Sequence, residues 1–377
     1  MSKDFNYWKN QHDSNELKEF NNDDLGSLWL KVKSIVRRGI IDQFIAKESI
    51  NLSSSGLNDQ FKELFTKLSV DSTNSHSILN NFIYEKNASV LENLVIDNLV
   101  NELYKVDNFK WGADNQNDLG KYLVKKYVKD NNSYDFLIGQ MENGVMRTVQ
   151  DYLICSWYNH WSSILIEHIF KTHNIVLPTV GQIKSVDFFM NNIPFDLKVT
   201  YLPTNFIEDE RRKKGLRPEL TALKQSARNV GIRFSNDDSN LYYVLSERLK
   251  DNASQEALDC LKNIKNFRIQ LLQEVKTNPM YLAKNLYEKQ SEFRFGAENR
   301  IFLILVDTEN FEDSWKLKRN FDLLKPGIHN YLDCFVNKRK QDLKLEFYQE
   351  GNSNRFPKKY EVLTDIIVIE KYPALRC

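Results

Sequence analysis

Two aspartates and a lysine sit on one short apolar segment, Ser185-Val186-Asp187-Phe188-Phe189-Met190-Asn191-Asn192-Ile193-Pro194-Phe195-Asp196-Leu197-Lys198-Val199-Thr200. Charged side chains are costly on strands that pack against a core, so three of them here point to a site rather than to scaffold. The Asn191-Asn192 pair suits a two-residue type I′ turn, because Asn tolerates positive φ. That turn pairs Met190 with Ile193, Phe189 with Pro194, Phe188 with Phe195 and Asp187 with Asp196. Opposed residues share a face, with Cβ atoms about 4.5–5.5 Å apart. The strand period of two adds Lys198 and Thr200 to that face and leaves Val186, Phe188, Phe195, Leu197 and Val199 as an apolar one. Opposed like charges repel. A divalent cation relieves the repulsion, and paired carboxylates suit Mg²⁺. A lysine beside them can steady developing negative charge or help activate a water.

Asp187 followed across a short hairpin by Asp196-x-Lys198 resembles the PD-(D/E)xK nuclease superfamily, which includes many type II restriction endonucleases, junction resolvases and repair nucleases. The resemblance covers roughly residues 150–250. Val186 stands where the superfamily usually has proline. The resemblance implies an α-β-β-β-α-β core, with Mg²⁺ held by Asp187, Asp196 and the backbone carbonyl of Leu197. It also implies in-line attack of water on a phosphodiester, with Lys198 positioning or activating that water. The superfamily often carries a third acid on the preceding helix, where Glu167 stands, and a Gln or Lys on the following helix, where Gln225 stands. Glu167 reads equally as a surface residue. Other acid-x-Lys triplets (Glu16-Leu17-Lys18, Glu274-Val275-Lys276, Asp342-Leu343-Lys344) lie in polar or helical contexts and read as solvated. The competing reading of the hairpin is an edge pair with a polar outer side.

The elements that must position these residues follow from periodicity. Residues 151–173 predict a long apolar helix whose Ser156, His160, Ser163, Glu167 and Lys171 share one side. His160 and His168 read as packing or hydrogen-bonding residues. Residues 175–180 predict a first strand and the hairpin supplies the next two. Pro218 opens a helix to about Val230. Leu241 to Ser246 predicts the fourth strand, 251–292 a return to helix, and the apolar runs 301–306 and 362–369 two further strands, the former central in the sheet. Asp307 and Glu309 after that strand read as turn caps. Before the hairpin domain, helical patterns at 25–45, 57–69, 76–104 and 117–128 predict a mainly helical region. It reads either as a recognition or oligomerisation module or as scaffold.

At 377 residues, with 41% hydrophobic and 27% charged residues, the chain has room for two or three domains with real cores. A net charge of +1 does not announce nucleic-acid binding. Locally, Arg211, Arg212, Lys213, Lys214, Arg217, Lys224, Arg228 and Arg233 closely follow the hairpin, with Glu219 alone opposing them over that stretch. Arg211, Arg212, Lys213, Lys214, Gln225 and Arg228 are the DNA-contact candidates, and Lys338-Arg339-Lys340 is a second phosphate patch or a solvated face. The four cysteines form no CxxC pair, which argues against structural zinc and fits a reducing cytoplasm. No apolar run suits a membrane span, and Met1 to Tyr7 shows no signal segment. P-loop, dinucleotide-binding, HExxH and GxSxG motifs are absent.

The sequence therefore predicts an α/β protein with a restriction-endonuclease-like core, an α-β-β-β-α-β mixed sheet flanked by helices. Residues 1–145 form a helical N-terminal region, and residues 146–377 a catalytic domain with a helical insertion at about 250–295. The expected function is Mg²⁺-dependent DNA endonuclease, of sequence-specific type II restriction character, working on double-stranded DNA as a cytoplasmic homodimer. The alternatives are a repair or recombination nuclease on structured DNA, and a non-catalytic DNA-binding protein with a nuclease-like fold.

Overall fold

A computed structural model describes residues 3–14, 16–107, 123, 138–236, 241–289, 298–349 and 358–372. The N-terminal helices are α1 (Phe5–Asp13), α2 (Asp24–Ile35), α3 (Ile40–Lys47), α4 (Leu57–Leu68), α5 (Ser72–Glu92) and α6 (Ile96–Tyr104). Asp4 caps α1 by accepting from the Tyr7 amide, and Asp23 caps α2 by accepting from Leu25 and Gly26. The periodic stretch 25–45 breaks between α2 and α3, where Gly39 takes a φ of +82° that other residues enter at a cost. The helical pattern at 117–128 lies outside the described residues apart from residue 123.

The sheet follows the long helix α7 (Arg147–Lys171). Its first strands are β1 (Val176–Ile183), β2 (Val186–Met190) and β3 (Ile193–Thr200). The connection onward is helical where described: α8 (Thr204–Lys213), α9 (Glu219–Asn229), α10 (Leu241–Asn252), α11 (Gln255–Thr277) and α12 (Pro279–Lys289). Then come β4 (Arg300–Asp307), a 3-10 segment over Phe311–Arg319, α13 (Phe321–Phe335), α14 (Lys340–Leu343), β5 (Lys344–Gln349) and β6 (Lys358–Lys371). The strand order is β1-β2-β3-β4-β6-β5. β1, β2 and β3 run antiparallel to their neighbours in turn, β3, β4 and β6 run parallel, and β5 is antiparallel to β6. The chain is α/β, with a six-stranded mixed sheet flanked by helices.

Two expectations are corrected. Residues 241–246 are not a strand but the start of α10, which buries Leu241, Leu245 and Leu249 against Leu223 and Ala227 of α9 and Ala257 of α11. Their spacing of four is helical, and a six-residue apolar window is too short to separate the two periods. The strand that follows β3 is therefore β4, and the helical connection starts at Thr204 rather than near 250. Residues 344–349 form β5, for which no strand was expected, and in it Leu345 and Phe347 are buried and Lys344, Glu346 and Tyr348 exposed. Among the described residues no helix is long and apolar enough to cross a membrane.

Three apolar clusters hold the sheet. On one sheet face Phe188, Phe195, Leu197, Ile301 and Leu303 pack with Ile166 and Phe170 of α7 and Leu324 and Ile328 of α13. The Phe170 and Phe188 rings stack at 5.2 Å, and each buried phenyl contributes about 1.5–3 kcal/mol of transfer free energy. On the other face Phe302, Ile304 and Val306 meet Phe206, Phe267, Leu271, Leu286 and Tyr287. The N-terminal helices bring Trp8, Trp29, Phe61 and Phe65 onto Leu177, Ile183, Val186 and Phe189.

Candidate active site

Asn191 and Asn192 take φ of 50° and 63°, the left-handed pair that a type I′ turn requires. Phe188, Phe189 and Met190 pair with Phe195, Pro194 and Ile193, the register the turn predicts. One step further lie Asp187 and Asp196. The hairpin is not an edge pair: β3 runs between β2 and β4, and Asp196 is only 7% exposed.

Asp187 is fixed across the strands. Its Oδ2 accepts the Leu197 amide at 2.7 Å, and its carbonyl accepts Thr179 Oγ1 at 3.1 Å. Burial pushes its pKa up to about 6, and the charges of Asp196 and Glu167 add to the shift. The Leu197 amide and Lys198 only partly oppose it. The pocket around Asp187 is thus short of positive charge.

Asp196 has cations on both oxygens. Lys198 Nζ lies 3.0 Å from Oδ1, and Arg300 Nε 3.0 Å from Oδ2. Parallel pairing of β3 with β4 puts Asp196 beside Arg300. Arg300 also binds Glu298 Oε2 at 2.6 Å and lies over the Tyr287 ring at 5.3 Å. Glu298 Oε1 accepts from Ser185 Oγ at 3.1 Å. Lys198 keeps 40% of its side chain exposed, so its ammonium reaches both the carboxylate and solvent.

Glu167 projects from α7, where Oε2 pairs with Lys171 at 2.7 Å, and its charge reaches Asp187. Asp187, Asp196, Lys198 and Glu167 therefore lie within one electrostatic neighbourhood, and Leu197 joins it through its amide. Asp307 caps the turn after β4, accepting from Glu309 and Asn310 at 3.0 and 3.1 Å.

The basic run is corrected in part. Arg211 is 6% exposed, donates to the Arg217 carbonyl at 2.7 Å and stacks over Phe267, so its guanidinium does not face an outside phosphate. Arg212 pairs with Asp209 and Glu208, Lys213 with Glu210, and Lys214 with Glu274. The acids lie mostly just ahead of the run, at the i,i+3 and i,i+4 spacings where helix neighbours pair. Gln225 and Arg228 are exposed on α9, which packs on α10 and α11. Gln225 accepts from Arg217, and Arg228 lies over Phe234. Lys338 pairs with Asp365, Arg339 with Asp342, and Lys340 donates to the Asn21 carbonyl, so the second basic patch is also engaged within the chain.

Sequence reasoning missed two cations that shape the hairpin. Arg300 opens an apolar strand, and only the β3–β4 register reveals its partner. Lys31 on α2 is fully buried and binds His76 Nδ1, Asn80 Oδ1 and Asn192 Oδ1 at 2.9, 2.9 and 2.7 Å. With Ser27 Oγ donating to the Asn192 carbonyl at 2.9 Å, α2 clamps the hairpin turn.

Among the described residues no group of three or more His, Cys, Asp or Glu side chains is arranged to hold a metal ion. The donors nevertheless fit a hard divalent cation in kind: two carboxylates on adjacent strands, one with its pKa raised by burial and by the charges of Asp196 and Glu167. Binding there requires Lys198 to yield Asp196 Oδ1. Beyond Lys198, β3 runs into a cleft of about 510 Å³ lined by Thr200, Tyr201, Arg268, Phe311, Glu312 and Trp315, among others. Comparison with protein-family models, with curated proteins and with solved structures found no match for this chain.

Proposed function

We propose that this chain is a Mg²⁺-dependent endonuclease that hydrolyses phosphodiester bonds of double-stranded DNA, on a fold of the PD-(D/E)xK kind. The observation that carries the proposal is the pairing of Asp187 with the Leu197 amide, between Asp196 and Lys198, in a pocket that raises the Asp187 pKa to about 6. A carboxyl with a raised pKa beside a half-exposed lysine favours a reaction site over scaffold. The element order α7, β1, β2, β3, helices, β4 supports an α-β-β-β-α-β core, with β4 rather than 241–246 as the fourth strand.

In this reading Asp187, Asp196 and the Leu197 carbonyl hold Mg²⁺, which supplies charge stabilisation at the phosphate. Asp187 holds its place through the Leu197 amide. Arg300 and Glu298 keep the Asp196 carboxylate from turning. Lys198 moves from Asp196 toward the incoming phosphate, where it orients water and steadies developing charge. Glu167 adds negative potential that draws a cation to Asp187, as it also raises the pKa of that carboxyl. Restriction-type sequence specificity, a cytoplasmic setting and a homodimer that presents one site to each strand belong to the same proposal.

The cleft beyond Thr200 favours a second reading, a nuclease for structured DNA. Its Tyr201, Phe311 and Trp315 walls suit an unpaired base better than a stacked one. Incubation with mixed-sequence duplex and Mg²⁺, followed by sequencing of the ends, tests the proposal. Ends at one short sequence support the restriction reading. Cleavage confined to branched or gapped DNA supports the second, and no cleavage with any divalent cation rejects both.

A further inference from the structure

Three exposed cations lie where the N-terminal helices meet β1 and the β1–β2 turn. Between α2 and α3 the chain exposes Arg37 and Arg38, and the β1–β2 turn exposes Lys184. Among the described residues none of the three enters a salt bridge, unlike Arg212, Lys213 and Lys214 on α8. Arg37 is seated rather than loose. A Cβ at Gly181 would lie 2.5 Å from Arg37 Nε and 2.6 Å from the Ser34 carbonyl, so only glycine lets the end of α2 press this close to β1.

The seat lies near Asp187. Thr179 bonds the Asp187 carbonyl across β1 and β2, and Gly181 is two residues further along, about 7 Å of strand. Leu177 and Phe189 pair and both pack on the N-terminal core. The period of two places Asp187 on the Phe189 side, and Gly181, inside the β1 register shift between Pro178 and Ile183, meets the end of α2.

We propose that Arg37, Arg38 and Lys184 form the rim that grips the phosphodiester backbone of a nucleic acid beside the Asp187–Asp196 site. The inference rests on the nuclease reading for which bond lies at the site, but not for the rim's affinity for a polyanion. Four acids, Asp187, Asp196, Glu167 and Glu298, face three cations, Lys171, Lys198 and Arg300, which leaves the site a net negative charge that repels phosphate. A rim of unpaired guanidinium and ammonium groups one strand away offsets that repulsion and sets the register of the backbone. The N-terminal helices then belong to the substrate surface, and the run after the hairpin does not.

The test is fluorescence anisotropy with a short labelled DNA duplex across a salt series, using full-length Asp196→Asn as parent. One variant adds Arg37→Ala, Arg38→Ala and Lys184→Ala. The comparator adds Arg212→Ala, Lys213→Ala and Lys214→Ala. Melting curves matching the parent confirm folding, and an Arg37→Lys, Arg38→Lys version keeps the charge if the alanine set melts early. The rim variant is expected to lose about tenfold or more in affinity, with the salt slope falling by roughly one per cation removed. The comparator is expected to stay within about twofold, below what loss of a single phosphate contact gives. A parent that does not bind, a rim variant that binds like the parent, or equal losses in both sets overturns the proposal. Rim-dependent binding without cleavage by the wild type keeps the rim and rejects the nuclease reading. Cleavage with binding indifferent to the rim does the reverse.

Discussion

Asp187 Oδ2 accepts the backbone N–H of Leu197 at 2.7 Å, so the first acid of the hairpin is tied to the residue between Asp196 and Lys198. The bond holds two carboxylates together in a place where burial and their mutual repulsion resist it. Asp187 shows the cost: its pKa rises from 3.8 to about 6.

That shift has a stability consequence. A folded pKa above the unfolded value means that the native state binds the proton more tightly, so stability falls as pH rises from about 4 to about 6. The loss is on the order of 2–3 kcal/mol for a shift of this size. Asp187→Asn keeps an oxygen for the Leu197 amide and removes the charge. It is expected to be about 1–2 kcal/mol more stable than wild type at pH 7 and to lose the decline. Urea melts between pH 4 and 7 measure both, and an unchanged slope assigns the decline elsewhere.

Magnesium should act on the same group. An ion at Asp187 and Asp196 binds the native state alone and raises its melting temperature with concentration. The expected pattern is a rise for wild type, largest above pH 6 where Asp187 has lost its proton, and none for Asp187→Asn. Scanning calorimetry with and without chelator reads it. Equal rises in both proteins would place the ion elsewhere.

Arg300 bridges Asp196 and Glu298 and is 3% exposed. Arg300→Met leaves two carboxylates at the start of β4 without their shared cation. Breaking a buried pair on one side costs about 3–5 kcal/mol. Urea denaturation at pH 7 should show a loss of that order, and a change under about 1 kcal/mol would mean that the bridge is not formed.

Lys31 tests the hairpin from the other end. Burial pushes its pKa down to about 8, from 10.5. A lysine depressed in the folded state makes stability rise with pH, here from about 8 to about 10.5, because only the unfolded chain keeps the proton in that window. Lys31→Met removes that rise and frees the Asn192 side chain. Amide exchange across Asn191 to Phe195 should quicken, whereas unchanged exchange would show that the turn holds without α2.

Much of this hairpin was legible in the sequence. Two Asn residues between apolar runs define the turn, and the turn fixes the register that brings Asp187 to Asp196. The misreadings have physical causes. Leu241, Leu245 and Leu249 mark a helix only over nine residues, and a window of six hides them. Counting charges from Arg211 onward hid Glu208, Asp209 and Glu210, which pair with the run from one turn earlier. Arg300 and Lys31 could not be found by pattern. Their partners lie 104 and 161 residues away, and only the folded sheet and the packing of α2 bring them together.

The central claim is that the Asp187–Asp196–Lys198 cluster hydrolyses DNA with Mg²⁺. Cleavage of supercoiled plasmid by wild type and by Asp196→Asn, each with Mg²⁺ and with chelator, tests it most directly. The account predicts nicked or linear plasmid from wild type in Mg²⁺ alone, and intact plasmid from Asp196→Asn at matched folding. Plasmid cut equally by both proteins would contradict the site, and plasmid cut by neither would contradict the activity.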